Sequence, residues 1–176
     1  MDKQFQSDLG PKREDLKYHT VKVGFMALGR ALQSASHFEN DVVAEVAHWK
    51  VGFSFSMNVL PNGPSLVMEK RNRRMLFLGT KKKDDADLIV EIKDLDTAFK
   101  MITTQAGAHH VYAEHKIGVV GNVADSMRLI RLIYIVEGYL FPKILNKNIL
   151  KKSPRMTIRK HINRMHIYTI GMLLGK

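Results

Sequence analysis

Residues 51–59 alternate without a break: Val51, Phe53, Phe55, Met57 and Val59 fall on one side of an extended chain, and Gly52, Ser54, Ser56 and Asn58 on the other. A period of two is what a strand with one apolar face requires, whereas a helix would scatter these side chains around its circumference. The next residues, Pro61-Asn62-Gly63-Pro64, are a strong turn signal, because glycine tolerates positive φ and proline fixes its own φ. A second strand over 65–70 then returns antiparallel. The cluster Arg71-Asn72-Arg73-Arg74 reads as a tight exposed turn, followed by a third strand over 75–78 and a solvated loop over 81–85. Ala86, Leu88, Val90 and Ile92 alternate with Asp87, Glu91 and Lys93, broken only by Ile89, in a half-buried fourth strand. Asp94 caps a short helix that carries Leu95, Ala98, Phe99 and Ile102 on one side. After a loop around Gly107, residues 116–121 form the last strand.

Helices flank this sheet. Residues 14–34 place Val21, Phe25, Leu28 and Leu32 on one stripe, with Gly24 and Gly29 allowing a neighbour to come close. A second helix is introduced by Ser36 with Glu39 three residues on, a capping-box spacing, and buries Val42, Val46 and Trp49. The helix from Asn122 carries Leu129, Leu132, Ile133, Val136 and Leu140 in one stripe. Met127, Ile130, Tyr134 and Ile135 extend it, with Arg128 and Arg131 on the wet side. A helix greasy over more than one face must meet two apolar surfaces: the sheet is one, and either the N-terminal helices or a lipid ligand is the other. Pro142 ends or kinks it. Ser153-Pro154 opens a last segment, which reads equally as an interfacial amphipathic helix and as an ordinary terminal element.

Charge is concentrated at one end. The net charge is +11, and residues 146–176 hold eight basic side chains and no acidic one. Such a segment attracts an anionic membrane surface or nucleic acid by the same electrostatics, or stands as a solvated tail. With 176 residues the chain suits one domain with one core. The first twenty residues lack the apolar run of a signal peptide. The longest apolar run of the last helix, 132–136, is far short of the ~20 residues a membrane span needs. Ten methionines suit irregular core gaps or adaptable binding surfaces. The absence of cysteine rules out disulfides, thiolate metal sites and thiol nucleophiles, and fits the cytosol.

Catalytic patterns fail on spacing. His109, His110, Glu114 and His115 are the one cluster suited to metal or acid–base work, yet His110 and His115 are five apart, where a shared helical face needs four. His161 and His166 fail in the same way. No serine sits in a G-x-S-x-G elbow. Gly79-Thr80-Lys81-Lys82-Lys83 lacks the first glycine and the following helix of a phosphate loop. The basic tail has one aromatic residue, Tyr168, and no nucleic-acid reading motif, so specific nucleic-acid recognition is not expected. The expectations are no enzyme activity, no metal and no cofactor.

Two segments resemble a known family. Residues 86–99 (ADLIVEIKDLDTAF) are similar to the strand-then-helix entry of sterol carrier protein type 2 domains. Residues 115–122 (HKIGVVGN), leading into 127–133 (MRLIRLI), resemble the same family's final strand and covering helix. The resemblance covers 51–145 in element order. It departs at His115, where the family places glycine, and in the loop 106–114 with its two histidines. The resemblance implies an α+β fold, a mixed five-stranded sheet covered by helices, with an apolar tunnel between them for sterols, fatty acyl chains or other lipids. The N-terminal helices, within 14–50, and the basic C-terminal tail are additions to that frame.

The expected domain therefore spans 1–145, with 146–176 as a separate basic segment. The expected function is binding and transfer of a hydrophobic ligand, whether fatty acyl, sterol-like or quinone-like. The alternative is a non-catalytic scaffold for membrane lipid or quinone metabolism. The ligand enters between the sheet and the helix over 122–141, lined by Phe55, Met57, Phe77, Phe99, Ile133 and Val136. Lys151, Lys152, Arg155, Arg159 and Lys160 are the expected contacts to an anionic membrane, for a cytoplasmic protein peripheral at the inner membrane surface.

Overall fold

The alternation that opens the sheet becomes its central strand. The computed structural model describes residues 11–140 except 104, 108–110 and 112. Their order is α1 (Pro11–Phe38), α2 (Asn40–Ala47), β1 (Ser54–Val59), β2 (Ser65–Arg71), β3 (Arg74–Gly79), β4 (Leu88–Ile92), α3 (Leu95–Ile102), β5 (Ile117–Val120) and α4 (Val123–Leu140). The expectations for 146–176, including all five membrane contacts, lie outside these residues, as do those for His109, His110, His161 and His166.

The strands form one mixed sheet in the order β3-β2-β1-β4-β5. β1 pairs antiparallel with β2 and parallel with β4, and both edge strands pair antiparallel. The expected α+β class and the covered five-stranded sheet are therefore what the chain forms.

β1 starts at Ser54, three residues later than the alternation suggests. Gly52, at φ +85°, turns the chain, and its N–H donates to the Lys70 carbonyl. Val51 thereby leaves the apolar face and is 66% exposed. The junction of α1 and α2 also differs. α1 runs on to Phe38, so Ser36 lies inside it, donating to the Gln33 carbonyl and accepting from the Met75 N–H. Glu39 takes the N-cap position without a side-chain cap bond. Competition from the β3 backbone drew the serine away from capping.

The core lies between one face of the sheet and the helices. Phe55, Met57, Leu66, Met68, Met75, Leu88, Val90 and Ile92 supply the sheet side; Val21, Phe25, Leu28, Leu32, Val42, Val46, Leu129, Leu132 and Val136 supply the helices. The stripes expected on α1 and α2 are buried, although α2 ends at Ala47 and Trp49, also buried, lies in the turn after it. α1 is the hub, lying against β2, β3, α2, α3 and α4. Glycine is what lets it in. A Cβ on Gly29 would stand 2.5 Å from Phe77 and 2.7 Å from Leu66, and one on Gly24 would stand 2.4 Å from Ile102.

The other face of β1 is buried too, at Ser54, Ser56 and Asn58. The β3–β4 connection accounts for one end of this. It leaves β3 at Thr80, whose carbonyl accepts from Ser65 N–H, and reaches Ser54 at the opposite end of β1 through Lys83 (3.3 Å) and Asp87 (2.9 Å). Parallel pairing of β1 with β4 forces this traverse, because a parallel neighbour must start from the same end.

Candidate apolar ligand site

All six residues expected to line a ligand fall in or against one apolar cluster on the helix side of the sheet. Phe55, Met57 and Val136 are buried within it, while Phe77, Phe99 and Ile133 are half-buried at its margins. Strand parity places Phe55 and Met57 on the inner face, and register carries that face outward from Met57 to Val90 to Val119. Burial decays along this row: Met57 is 6% exposed, Val90 8% and Val119 40%. Among the described elements, the helices thus close the inner face at the sheet centre and leave it partly exposed at Val119, while Ile117 of the same strand still packs against the cluster.

Among the described elements, α4 packs chiefly on α1 and α2. The expected sheet–α4 interface is thus largely taken by α1, which lies against β2 and β3 at this junction. Phe77 lies under Gly29 at the β3 side of that junction. The choice for α4's second surface resolves toward the N-terminal helices, and its two arginines are not simply a wet side. Arg131 forms a bidentate pair with Glu45 of α2 (2.6 and 3.0 Å), which holds the Glu45 carboxyl below its usual pKa. Arg128 pairs with Asp125 (3.1 Å). Met127 and Ile130 remain on the outer side, 49% and 38% exposed.

Two residues of the site carry a signal that the sequence reading did not follow. Trp49, placed only on the buried side of α2, stacks on Phe53 (4.6 Å) and stands 6.2 Å from Phe55. Its indole N–H donates to Asp125 on α4 (2.9 Å), tying the helix to the site's floor. Lys70 shares its strand parity with Leu66 and Met68 and so points inward. Its ammonium donates to the Trp49 carbonyl and to the Ala47 carbonyl (3.4 Å), closing the end of α2. Burial draws the Lys70 pKa down. The parity of 66, 68 and 70 was the available clue.

α3 enters as expected. Asp94 accepts from the Thr97 N–H (2.7 Å) and from its hydroxyl (3.0 Å), fixing the first turn. Lys17 of α1 and Lys100 then share Asp96 (2.6 and 2.8 Å), whose carboxyl is pulled down to about 2 by the two ammonium groups. In α4, burial pushes the Glu137 carboxyl up to about 7. Glu114 pairs with Lys116 (2.8 Å), and His115 is exposed with φ +56°. Among the described residues no group of three or more His, Asp or Glu is placed to hold a metal ion, and no helix is long and apolar enough to cross a membrane.

No protein-family model matches the chain, and no curated protein matches it. Solved structures do. A UbiJ-SCP2 ubiquinone synthesis protein is 14% identical, with a TM-score of 0.46 over 66% of this chain and 95% of that one. Sterol carrier protein 2 from Yarrowia lipolytica is 17% identical, with a TM-score of 0.43 over 62% and 85%. Sterol carrier protein 2 like 2 from Aedes aegypti is 12% identical, with a TM-score of 0.33 over 55% and 93%. Several of the solved structures similar to this chain are sterol carrier protein 2 domain proteins.

Proposed function

We propose that this chain binds a hydrophobic small molecule, fatty acyl, sterol-like or quinone-like, on the helix side of the sheet, and carries it between membranes. The observation that supports this reading is the apolar inner face, continuous from β2 to β5 and left partly uncovered at Val119. In this reading the ligand enters beside β5. It lies against Phe55, Met57, Phe99, Ile133 and Val136, with Phe77 closing the far end. Apolar burial at ~25 cal/mol per Å² drives binding, and the domain over 1–145 is the binding unit. The protein works without catalysis, cofactor or metal. It is cytoplasmic, and the basic segment with Lys151, Lys152, Arg155, Arg159 and Lys160 adds attraction to anionic membrane.

Trp49 makes the test direct. It is the chain's single tryptophan, buried against Phe53 and Phe55. Titration with a long-chain fatty acid, a sterol and a quinone should give a saturable change in its emission for at least one of them. An emission spectrum indifferent to all three would remove the carrier reading and favour the scaffold alternative.

A further inference from the structure

We propose that the end of the sheet where β1 begins is a docking surface for an anionic lipid bilayer. Topology gathers this surface from four distant stretches of sequence. β1 and β4 start here, β2 and β5 finish here, and the two-residue turn Asn72-Arg73 joins Arg71 to Arg74 here. Contacts run across it without a gap. The Gly52 N–H donates to Lys70 beside the arginine turn, Lys50 pairs with Asp87 (2.9 Å), and Gly121 lies so close that a Cβ would stand 2.9 Å from the Asp87 carbonyl.

Two kinds of side chain project from this end. Val51 in the α2–β1 turn, Val120 at the end of β5 and Val123 at the start of α4 are 66%, 59% and 74% exposed. They are separate tips at the ends of elements, suited to entering a headgroup layer one by one rather than to packing against a flat protein face. At the β3 edge of the same end, across the sheet from Val120, stand Arg73 and Arg74, exposed and in no ion pair among the described residues. Of the acidic groups at this end, Asp87 is committed to Lys50 and Ser54, Glu69 to Arg71, and Asp125 to Trp49 and Arg128; in the connection leading to β4, Asp84 pairs with Lys82 and Asp85 is exposed and in no ion pair among the described residues. Planar guanidinium groups fit phosphate oxygens bidentately. Exposed apolar tips on the same end as two arginines in no ion pair therefore match a bilayer that carries anionic headgroups. The surface is independent of any ligand held in the core.

The test is co-sedimentation of the full chain with vesicles of phosphatidylcholine alone and of phosphatidylcholine mixed with phosphatidylglycerol, at low and high salt. Wild type should bind the anionic vesicles and release them as salt rises. Arg73→Gln with Arg74→Gln should weaken binding about 30-fold, at ~1 kcal/mol per arginine near an anionic surface and 1.4 kcal/mol per tenfold. Val51→Ser with Val123→Ser should weaken it further, including at high salt. Lys81→Gln with Lys93→Gln removes the same charge from the opposite end and should leave binding within a few-fold of wild type. All six positions are solvent-accessible, and matching thermal melts would show the fold intact. The proposal is overturned if wild type ignores anionic vesicles, whether or not it binds an oligonucleotide. It is equally overturned if the two charge pairs weaken binding alike, or if neither docking pair changes it. Bound-ligand mass in the same variants reports on the core site separately, so the two readings fail independently.

Discussion

Replacing Gly29 with alanine sets two physical effects against each other. In a helix interior, alanine is favoured over glycine by about 1 kcal/mol, so propensity alone predicts a more stable protein. Packing predicts the reverse. The new Cβ would lie 2.5 and 2.8 Å from two ring carbons of Phe77 and 2.7 Å from Leu66 Cδ1. Carbon pairs rest at ~3.5–4.0 Å, so α1 must lift from β2 and β3 by roughly 1 Å or Phe77 must leave its place. Overpacking of this kind costs about 1–3 kcal/mol. Leu66 is 1% exposed and has nowhere to go, which puts the cost in the upper part of that range. The net loss is about 1–2 kcal/mol, or roughly 2–8 °C in Tm for a chain of this size. Thermal and urea unfolding of Gly29→Ala, followed by circular dichroism and Trp49 emission, measures it. Gly24→Ala, which meets only the half-buried Ile102 side chain, should lose less. A Gly29→Ala protein as stable as wild type, or more so, would refute the claim that α1 is seated by close approach.

Four further outcomes follow from the geometry. Asp94→Ala should lose about 1 kcal/mol by removing the α3 cap, read as a lower urea midpoint, while an unchanged midpoint would mean that packing alone holds α3. Glu45→Ala should lower the urea midpoint only slightly, because the half-exposed Arg131 guanidinium leaves the pair open to screening, and the loss should shrink at high salt. Glu137 has its carboxyl raised above the unfolded value, so the folded state binds more protons between the two pKa values and stability falls as pH rises from about 4.5 to about 7. Glu137→Gln should flatten that part of the stability–pH curve, and an equal slope in both proteins would contradict the assignment. Val136→Trp should abolish ligand uptake while leaving a scaffold function intact; undiminished uptake would move the ligand away from α4.

Period-two patterning made most of the sheet legible from the sequence, since Phe55, Met57, Leu88, Val90 and Ile92 can share a core only if their strands run as read. The α1 stripe and the Asp94 cap were legible for the same reason: each is a local rule with a local consequence. What the residues did not reveal depends on distant partners. Val51 continues the alternation, but Gly52 must turn so that its N–H meets Lys70. Ser36 has the form of a cap until the Met75 N–H of β3 claims it. Nothing local announces that β4 pairs parallel with β1, and so nothing announced that the connection to it would run past Ser54. The six expected lining residues fall in or against the core because strand parity and helix stripe select inward residues. That α1 would largely take the sheet–α4 interface follows only from the space that Gly29 leaves.

Native mass spectrometry of freshly purified protein, with solvent extraction and identification of any adduct, tests the central claim most directly. The account predicts a discrete bound mass that extracts as a lipid, sterol or quinone and is missing from Val136→Trp. A ligand-free mass that stays unchanged after incubation with fatty acids, sterols and quinones would contradict it.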